Sequence, residues 1–325
     1  MRILTQSVMA VVVLALSVLA PAGAAQQAGR APRRFELKAE SPKFWELFDQ
    51  SAGLDKIATG FGFTEGPVWD PKGFLYVSDE DKNKLCRVYL DGRVETLLEI
   101  GDPDGSTLDS QGRLVTTASY LRAIIQVDPD GKYKVLADKY EGKKLNSPND
   151  VIVGPDGALY FTDPTLDLPK GEKQEIPFQG VYRLGHDGSV RLLTRDLVQP
   201  NGLAFSPDGK RLYIDDTKQR EIRVYDAGAA GELSNGRLFG KEEGNGGVPD
   251  GMRVDVNGNV FVTGPGGIWV WDPDGNHLGT ILLPESAANL NWGDADYRTL
   301  YITAQTSVYR LKTRTHGFVP SNRSR

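Results

Sequence analysis

A turn motif repeats along most of this 325-residue chain and constrains its fold more than any other feature. Each repeat has a short apolar run, a turn built on Asp or Pro with Gly, and a second apolar run, as in residues 68–77. The turn glycines, which are 39, 45, 52 and 49 residues apart, are Gly73, Gly112, Gly157, Gly209 and Gly258. A sixth repeat at 292–302 lacks the glycine. This period is typical of the four-stranded blade of a β-propeller.

The repeat predicts an all-β fold, a six-bladed β-propeller with a short N-terminal helix. The expected divisions are a signal peptide at 1–25, a lead with the helix at 26–54, the propeller at 55–315 and a tail at 316–325. The helix is expected at 41–48, because Ser41 and Pro42 suit the N-cap and the first helical position. The alternative is a long β-sandwich or two all-β domains, but sandwiches do not repeat one module this often.

The N-terminus has the pattern of a signal peptide. A positive start, Met1-Arg2, precedes an almost wholly apolar stretch at 3–19 and small residues at 21–25. The stretch is shorter than the roughly 20 residues of a membrane-spanning helix, and a site suited to cleavage follows it. The alternative is an uncleaved anchor. In both cases we expect the folded part outside the cytoplasm, periplasmic or secreted, and free of the membrane after cleavage.

Charge and cysteine content argue against several classes of protein. The formal net charge is −5 and no long basic stretch is present, which argues against binding to nucleic acid. The single cysteine, Cys86, excludes an internal disulfide and a Cys-based zinc site, and we expect it to be a buried, inert thiol. The histidines fall in or near outer turns, which disfavours zinc held by histidine.

Polar residues recur where the first strand of a blade should begin. Four of them, each beside Pro or Gly, are Glu65, Asn149, Asn201 and Asp250. The first strand of each blade lines the central channel, so the repeat aims these side chains at one axis. Singly, each is also an ordinary turn former. Together they predict an oxygen cage for one divalent cation, Ca²⁺ first, with Mg²⁺, Mn²⁺ or Zn²⁺ as alternatives.

Two other acidic spots and one insert are harder to assign. Asp163 and the pair Asp215-Asp216 follow apolar runs. Acids at the end of a strand are more typical of solvated turns, so we expect no catalytic role for them. The charged insert at 166–179 is expected either to cap the channel as a lid or, as is more common, to be a solvated loop.

Several motifs, taken in order and spacing, resemble those of the gluconolactonase family, which includes regucalcin. They are Glu65-Gly66-Pro67-Val68-Trp69, Pro148-Asn149-Asp150, Asn201-Gly202-Leu203 with Ser206-Pro207-Asp208-Gly209, and Pro249-Asp250-Gly251-Met252. The resemblance spans roughly residues 60–312 and is to an exported bacterial member. It implies a six-bladed propeller with a divalent ion in the channel.

The resemblance also implies roles for individual residues. Carried over by motif, Glu65, Asn201 and Asp250 are the direct metal ligands. Asn149 is implied to be a pocket amide that contacts substrate or the metal's water. Asn289 is expected to reach the mouth of the pocket as a second substrate-binding residue.

These assignments predict a hydrolase that opens a small-molecule lactone, either a sugar lactone or a related cyclic ester. The cation would polarise the carbonyl, and Asp250 would act as general base for water, because Ca²⁺ acidifies water only weakly. Ser147 stands where members acting on sugar lactones can carry an Arg, which weakens the expectation of a gluconolactone-like substrate. The alternatives are a non-catalytic propeller that binds a ligand or protein, and a metal-dependent esterase or phosphotriesterase on the same fold.

Overall fold

Six antiparallel sheets form a ring in the computed structural model, which describes residues 33–319. The innermost strand of each sheet packs against the innermost strand of the next, and that of the sixth sheet packs against that of the first. The predicted six-bladed β-propeller is therefore confirmed. The predicted signal peptide at 1–25 lies outside the described residues.

Each blade runs from the channel outward. The first three blades are Thr64–Asp70, Phe74–Asp79, Lys84–Tyr89 and Val94–Glu99; Pro103–Leu108, Leu114–Ala118, Ala123–Val127 and Tyr133–Ala137; and Val151–Val153, Leu159–Asp163, Gly180–Leu184 and Val190–Thr194. The last three are Pro200–Phe205, Arg211–Asp216, Glu221–Ala227 and Leu233–Lys241; Met252–Val254, Val260–Gly264, Gly267–Trp271 and His277–Leu282; and Ala287–Gly293, Thr299–Ala304, Ser307–Lys312 and Leu54–Thr59. A small hairpin, Lys139–Tyr140 with Lys143–Lys144, joins blades 2 and 3.

Blade 6 closes the ring by combining both ends of the propeller. Its outermost strand, Leu54–Thr59, precedes blade 1 in the chain and pairs antiparallel with Ser307–Lys312. The side chain of Trp69 in blade 1 stacks on Tyr301 in blade 6, with ring centroids 5.6 Å apart. Closure buries the faces of blades 1 and 6 that an open arrangement would leave exposed.

Burial decreases from the channel outward. Every residue of the innermost strand Thr64–Asp70 is buried, whereas most of the outermost strand Val94–Glu99 is exposed. Cys86 lies on an intermediate strand and is buried, as predicted, and burial raises its pKa to about 11. Among residues 33–319, no helix is long and apolar enough to cross a membrane.

The lead before the propeller is more ordered than its sequence indicates. Glu36–Ala39 forms a fifth strand on the outer edge of blade 5, which the sequence analysis did not predict. The helix is a single turn, Phe44–Leu47, so the predicted bounds of 41–48 were too wide and Ser41 is not its N-cap. The side chains of Phe44 and Phe48 are fully buried in the core of blades 5 and 6. Tertiary packing rather than capping therefore holds this helix.

Candidate active site

A ring of six polar side chains lies at the end of the channel where the innermost strands begin. One comes from each blade, and they are Glu65, Asp104, Asn149, Asn201, Asp250 and Asn289. Asp250 keeps partial access to solvent, and the other five are buried. All five residues predicted to form the site therefore belong to one ring, with one further carboxylate.

Glycines allow neighbouring blades to approach closely enough to form this ring. A Cβ on Gly202 would collide with the carbonyl oxygen of Asp250 in the next blade, and a Cβ on Gly66 would collide with that of Asp104. The backbone N–H of Gly202 instead donates to the carbonyl of Asp250 at 2.8 Å. The glycine that follows the polar residue in the sequence motif therefore allows the polar residues of neighbouring blades to lie close together.

Glu65 has one satisfied and one unsatisfied carboxylate oxygen. Its Oε2 accepts hydrogen bonds from the backbone N–H of Gly66 at 2.5 Å and from Nδ2 of Asn289 at 2.7 Å. Its Oε1 is buried and has no hydrogen-bond partner. Burial, together with the nearby charge of Asp250, raises the pKa of Glu65 well above its usual value. A positive charge at this place would therefore be stabilised by the unpaired oxygen of Glu65 and by the neighbouring Asp250.

Asp250 and Asn201 are neighbours in this ring. Burial raises the pKa of Asp250 to about 8, and a hydrogen bond from Asn201 opposes that rise. Nδ2 of Asn201 also donates to Oγ1 of Thr217 at 3.2 Å, which orients the amide. With its N–H groups used in this way, Asn201 keeps its carbonyl oxygen as an acceptor for a ligand.

Asn149 lies between two carboxylates. Its Nδ2 donates to Oδ2 of Asp104 at 2.5 Å. Burial raises the pKa of Asp167 to about 6, and a hydrogen bond from Asn149 opposes the rise. Both carboxylates occupy the N–H side of the amide, so its carbonyl oxygen is the atom left for a ligand.

Asn289 is less available to a substrate than the sequence analysis expected. Its Nδ2 donates to Glu65, and its Oδ1 accepts from the backbone N–H of Leu290 at 2.8 Å. Both ends of the amide are thus engaged, and the residue is buried. In this arrangement Asn289 orients Glu65.

Asp104 and Asp167 are site residues that the sequence analysis missed. Asp104 had a usable signal, because Pro103-Asp104-Gly105 has the same pattern as the later motif at 249–251. Asp167 had none, since it belongs to the insert at 166–179 and not to the repeat. Its place beside Asn149 depends on how the insert folds.

The insert is anchored to the propeller and is not a simple solvated loop. Nη1 of the buried Arg122 forms an ion pair with Oε2 of Glu172 at 3.0 Å, and its Nε donates to the carbonyl of Leu145 at 2.6 Å. Ile176 is buried in the core of blades 2 and 3. The charged tip of the insert is exposed, while its first part carries Asp167 to the ring.

The expectation of solvated acids at two strand ends was wrong. Asp163, Asp215 and Asp216 are at most 1% exposed. Asp163 accepts a hydrogen bond from the backbone N–H of Asn146 at 2.9 Å, and Asp216 accepts one from that of Val198 at 2.6 Å. These two fix loops at the channel mouth. Both oxygens of Asp215 are buried without a hydrogen-bond partner.

The opposite end of the channel has a different character. A cavity of about 70 Å³ there is lined by residues at the far ends of the innermost strands, such as Trp69, Phe205 and Trp292, and by Phe318 of the tail. The backbone N–H of Phe318 donates to the carbonyl of Val254 at 3.0 Å, which holds the tail across this end. This end also carries a charged residue, because Arg253 lines the cavity and forms an ion pair with Asp150 at 3.4 Å.

The ring suits a cation bound by few carboxylates. No three His, Cys, Asp or Glu side chains among residues 33–319 are grouped so that they could hold a metal ion together. The predicted ligand set needs only two carboxylates, Glu65 and Asp250, with the amide oxygen of Asn201. The unpaired buried Oε1 of Glu65 and the elevated pKa values of both acids agree with a positive charge between them.

Comparison with known proteins agrees with this geometry. Residues 63–306 match the SMP-30/gluconolactonase/LRE-like region. The chain belongs to this family. The matched segment begins just before Glu65 and ends after Asn289, so it contains the whole ring.

Family members with assigned functions show how close the similarity is. The gluconolactonase of Zymomonas mobilis is 35% identical over 306 residues, which cover 85% of this chain and 86% of that protein. The structure of a gluconolactonase from Xanthomonas campestris is 34% identical, with a TM-score of 0.80, and the match covers 89% of this chain and 99% of that one. A calcium-binding protein, regucalcin, from Agrobacterium tumefaciens has the same fold at 20% identity, with a TM-score of 0.69, covering 82% of this chain and 99% of that one.

Proposed function

We propose that this protein is a lactonase of the gluconolactonase type, and that it opens a lactone ring with one divalent cation held at the channel mouth. The observation that carries the proposal is the meeting of Glu65 and Asp250, two carboxylates from different blades, beside the amide of Asn201. The 35% identity to a gluconolactonase over most of the chain supports lactone hydrolysis as the reaction.

The proposed cation is Ca²⁺, held by Glu65, Asn201 and Asp250. Carboxylate and amide oxygens are hard ligands, and Ca²⁺ tolerates the irregular geometry that residues from separate blades provide. A bound divalent cation supplies a positive charge that polarises the lactone carbonyl and stabilises the developing oxyanion. Mg²⁺, Mn²⁺ and Zn²⁺ remain the alternatives that a metal-replacement assay separates.

The protein's own residues would hold the cation, orient the substrate or water, and move a proton. Asp250 is the proposed general base, since it is the member of the ring with access to solvent. Burial raises its pKa to about 8, and a bound cation would lower that value, so that the ionised carboxylate can take a proton from the attacking water and return it to the ring oxygen as the lactone opens. Glu65 neutralises charge, and Asn289 holds it in place. Asn149 presents its carbonyl oxygen toward substrate or water.

The substrate is proposed to be a small sugar lactone or a related cyclic ester. Ser147 does not offer the charged contact of an Arg, because its Oγ donates to the carbonyl of Pro164 at 2.8 Å and is buried. Asp167 on the insert lies beside Asn149, and its proposed role is to accept hydrogen bonds from hydroxyl groups of a substrate. Hydrogen-bond acceptors, rather than positively charged side chains, would therefore recognise the substrate. This favours an uncharged lactone that carries hydroxyl groups.

The test is a panel of lactones, simple esters and a phosphotriester assayed with the native protein. We expect lactone hydrolysis that a chelator abolishes and that Ca²⁺ restores. Asp250→Asn should abolish turnover while circular dichroism stays unchanged, and Glu243→Gln, which alters an exposed acid on the same connection, should keep full activity. Full lactone turnover in chelator, or in Asp250→Asn, would remove the cation or Asp250 from the chemistry. Ligand binding without any turnover would favour the non-catalytic alternative.

We also propose that the protein is exported, on the signal-peptide pattern of residues 1–25. Fractionation of producing cells should find the mature chain in the periplasm or medium, with a new N-terminus near residue 26. A chain found in the cytoplasm with Met1 intact would contradict the proposal.

A further inference from the structure

Six structurally equivalent side chains line the contacts between blades, and one of them differs from the rest. The position lies on the second strand of each blade, opposite the ring residue. It is occupied by Ser78, Thr117, Thr162, Asp215, Thr263 and Thr303. Five blades therefore carry a hydroxyl group, and blade 4 carries a carboxylate.

Three of the five hydroxyl groups at this position join consecutive blades. Oγ of Ser78 donates to the carbonyl of Asp104 at 2.7 Å, and Oγ1 of Thr117 donates to that of Asn149 at 2.7 Å. Oγ1 of Thr263 donates in the same way to the carbonyl of Ala288 at 3.2 Å. In these three blades the position offers a proton to a backbone carbonyl of the next blade, whereas Oγ1 of Thr303 donates to the carbonyl of Asn289 in its own blade at 3.2 Å.

Asp215 faces the equivalent carbonyl with a carboxylate, which has no proton to offer when it is ionised. The carbonyl oxygen of Asp250 and Oδ2 of Asp215 both lie within 2.7 Å of the point where a Cβ on Gly202 would stand. An ionised carboxylate is only an acceptor, so two acceptor oxygens face each other in a fully buried place. Neither carboxylate oxygen of Asp215 has a hydrogen-bond partner.

A second buried acid lies near the same boundary between blades 4 and 5. Glu242 begins the connection from blade 4 to blade 5, and its carboxylate packs against Gly264 of blade 5, where a Cβ would collide with it. It is 2% exposed, and neither of its carboxylate oxygens has a hydrogen-bond partner. Its charge acts on Asp215.

Arg220 forms no ion pair with this acid, although its positive charge opposes the rise that burial causes in the pKa of Glu242. Arg220 donates through Nη2 to the carbonyl oxygens of Gly244 and Gly247, at 2.7 and 3.1 Å, and so fastens the connection rather than the carboxylate. Two buried carboxylates without ion-pair partners would cost several kcal/mol if nothing compensated them. A cation bound between them would supply that compensation.

We propose that Asp215 and Glu242, with the backbone carbonyl of Asp250, form a second cation site between blades 4 and 5. All its ligands are oxygens, so it suits Ca²⁺. Its two carboxylates are not ring members, although the carbonyl belongs to the ring residue Asp250, and its occupancy does not depend on the catalytic proposal. It stabilises the connection at 242–250 that delivers Asp250 to the ring.

The test is the number of Ca²⁺ ions bound per chain, measured by equilibrium dialysis after chelator treatment. The wild type should bind two. Asp215→Thr, which installs the residue that four of the other blades use, should bind one and remain folded. Glu242→Gln should also bind one, while the control Glu243→Gln should bind two.

A second variant separates this proposal from the first site. Asp250→Asn should lose the ring cation but keep the second, and its melting temperature should still rise on addition of Ca²⁺. That rise should disappear in Asp250→Asn combined with Asp215→Thr. One ion in the wild type that Asp215→Thr and Glu242→Gln both retain would overturn the second site. One ion in the wild type and none in Asp215→Thr would support it and refute the ring cation.

Discussion

Glu285 is expected to stabilise the closure of the propeller in blade 6. Its carboxylate accepts hydrogen bonds from the backbone N–H of Thr306 at 3.0 Å, from Oγ of Ser307 at 2.7 Å and from Oη of Tyr309 at 2.5 Å. Nζ of Lys56, on the strand that precedes blade 1, forms an ion pair with it at 3.0 Å. One side chain therefore ties the two ends of the propeller together in blade 6.

The size of this contribution follows from the acidity of the group. Burial opposes ionisation of Glu285, but the hydrogen bonds from Tyr309, Ser307 and Lys56 outweigh it and lower the pKa from 4.5 to about 2. Its side chain is 17% exposed, so little discount for solvent screening applies. The pKa falls by about 2.5, and each pKa unit corresponds to about 1.4 kcal/mol, so the carboxylate contributes at most about 3.5 kcal/mol to the free energy of unfolding.

The pH dependence has a defined sign. The folded-state pKa lies below the unfolded value, so the stabilisation is fully present above about pH 4.5 and is lost as the pH falls toward 2. Glu285→Gln should reduce the free energy of unfolding in urea by about 2–3 kcal/mol at pH 7. At pH 3 the difference from the wild type should shrink to about half of that or less.

A matched control and a clear contrary result accompany this experiment. Glu99→Gln removes a carboxylate whose side chain is 76% exposed and whose ion pair with Lys84 is 3.7 Å long. It should change the free energy of unfolding by less than about 1 kcal/mol, as exposed pairs do. If Glu285→Gln lies within 0.5 kcal/mol of the wild type at pH 7, or if its effect does not depend on pH, the carboxylate does not hold the closure.

Three further variants and one chemical probe test the packing of the propeller and of its insert. Gly202→Ala places a methyl group against the carbonyl of Asp250, so thermal unfolding should show a loss of stability and calorimetry a weaker affinity for Ca²⁺. Phe44→Ala should lower the free energy of unfolding in urea by about 3–5 kcal/mol, because the aromatic side chain of Phe44 is fully buried. Cys86 should not react with a thiol reagent at pH 8 until the protein unfolds, since it is buried with a pKa of about 11. Arg122→Gln should make the insert at 166–179 sensitive to limited proteolysis, because the ion pair to Glu172 is lost; unchanged cleavage would mean that the pair does not anchor it.

The repeat made the fold and most of the ring predictable. A turn glycine returning every 39 to 52 residues specifies blades, and the blade geometry places the start of each first strand at the channel mouth. The same reasoning applied to Pro103-Asp104-Gly105 would have found Asp104. Asp167 could not be found in this way, because it lies on an insert that no other blade shares.

Local patterns failed where long-range contacts decide the environment. The acids Asp163, Asp215 and Asp216 look like exposed turn residues in the sequence, yet each is buried where another blade or loop packs over it. The strand Glu36–Ala39 is recruited by the free edge of blade 5, and that edge is more than 230 residues away along the chain. Turn propensity describes only neighbours in sequence, so it could not predict either outcome.

By itself, the sequence determined the blade, the number of blades and which residues begin their inner strands, because these depend on spacing and on turn chemistry within one repeat. Only the tertiary structure decided which oxygens are left without partners. That property depends on what the next blade presents across the interface, as the free Oε1 of Glu65 and both oxygens of Asp215 show. The charge that a site demands is set by contacts between blades, and no single repeat contains them.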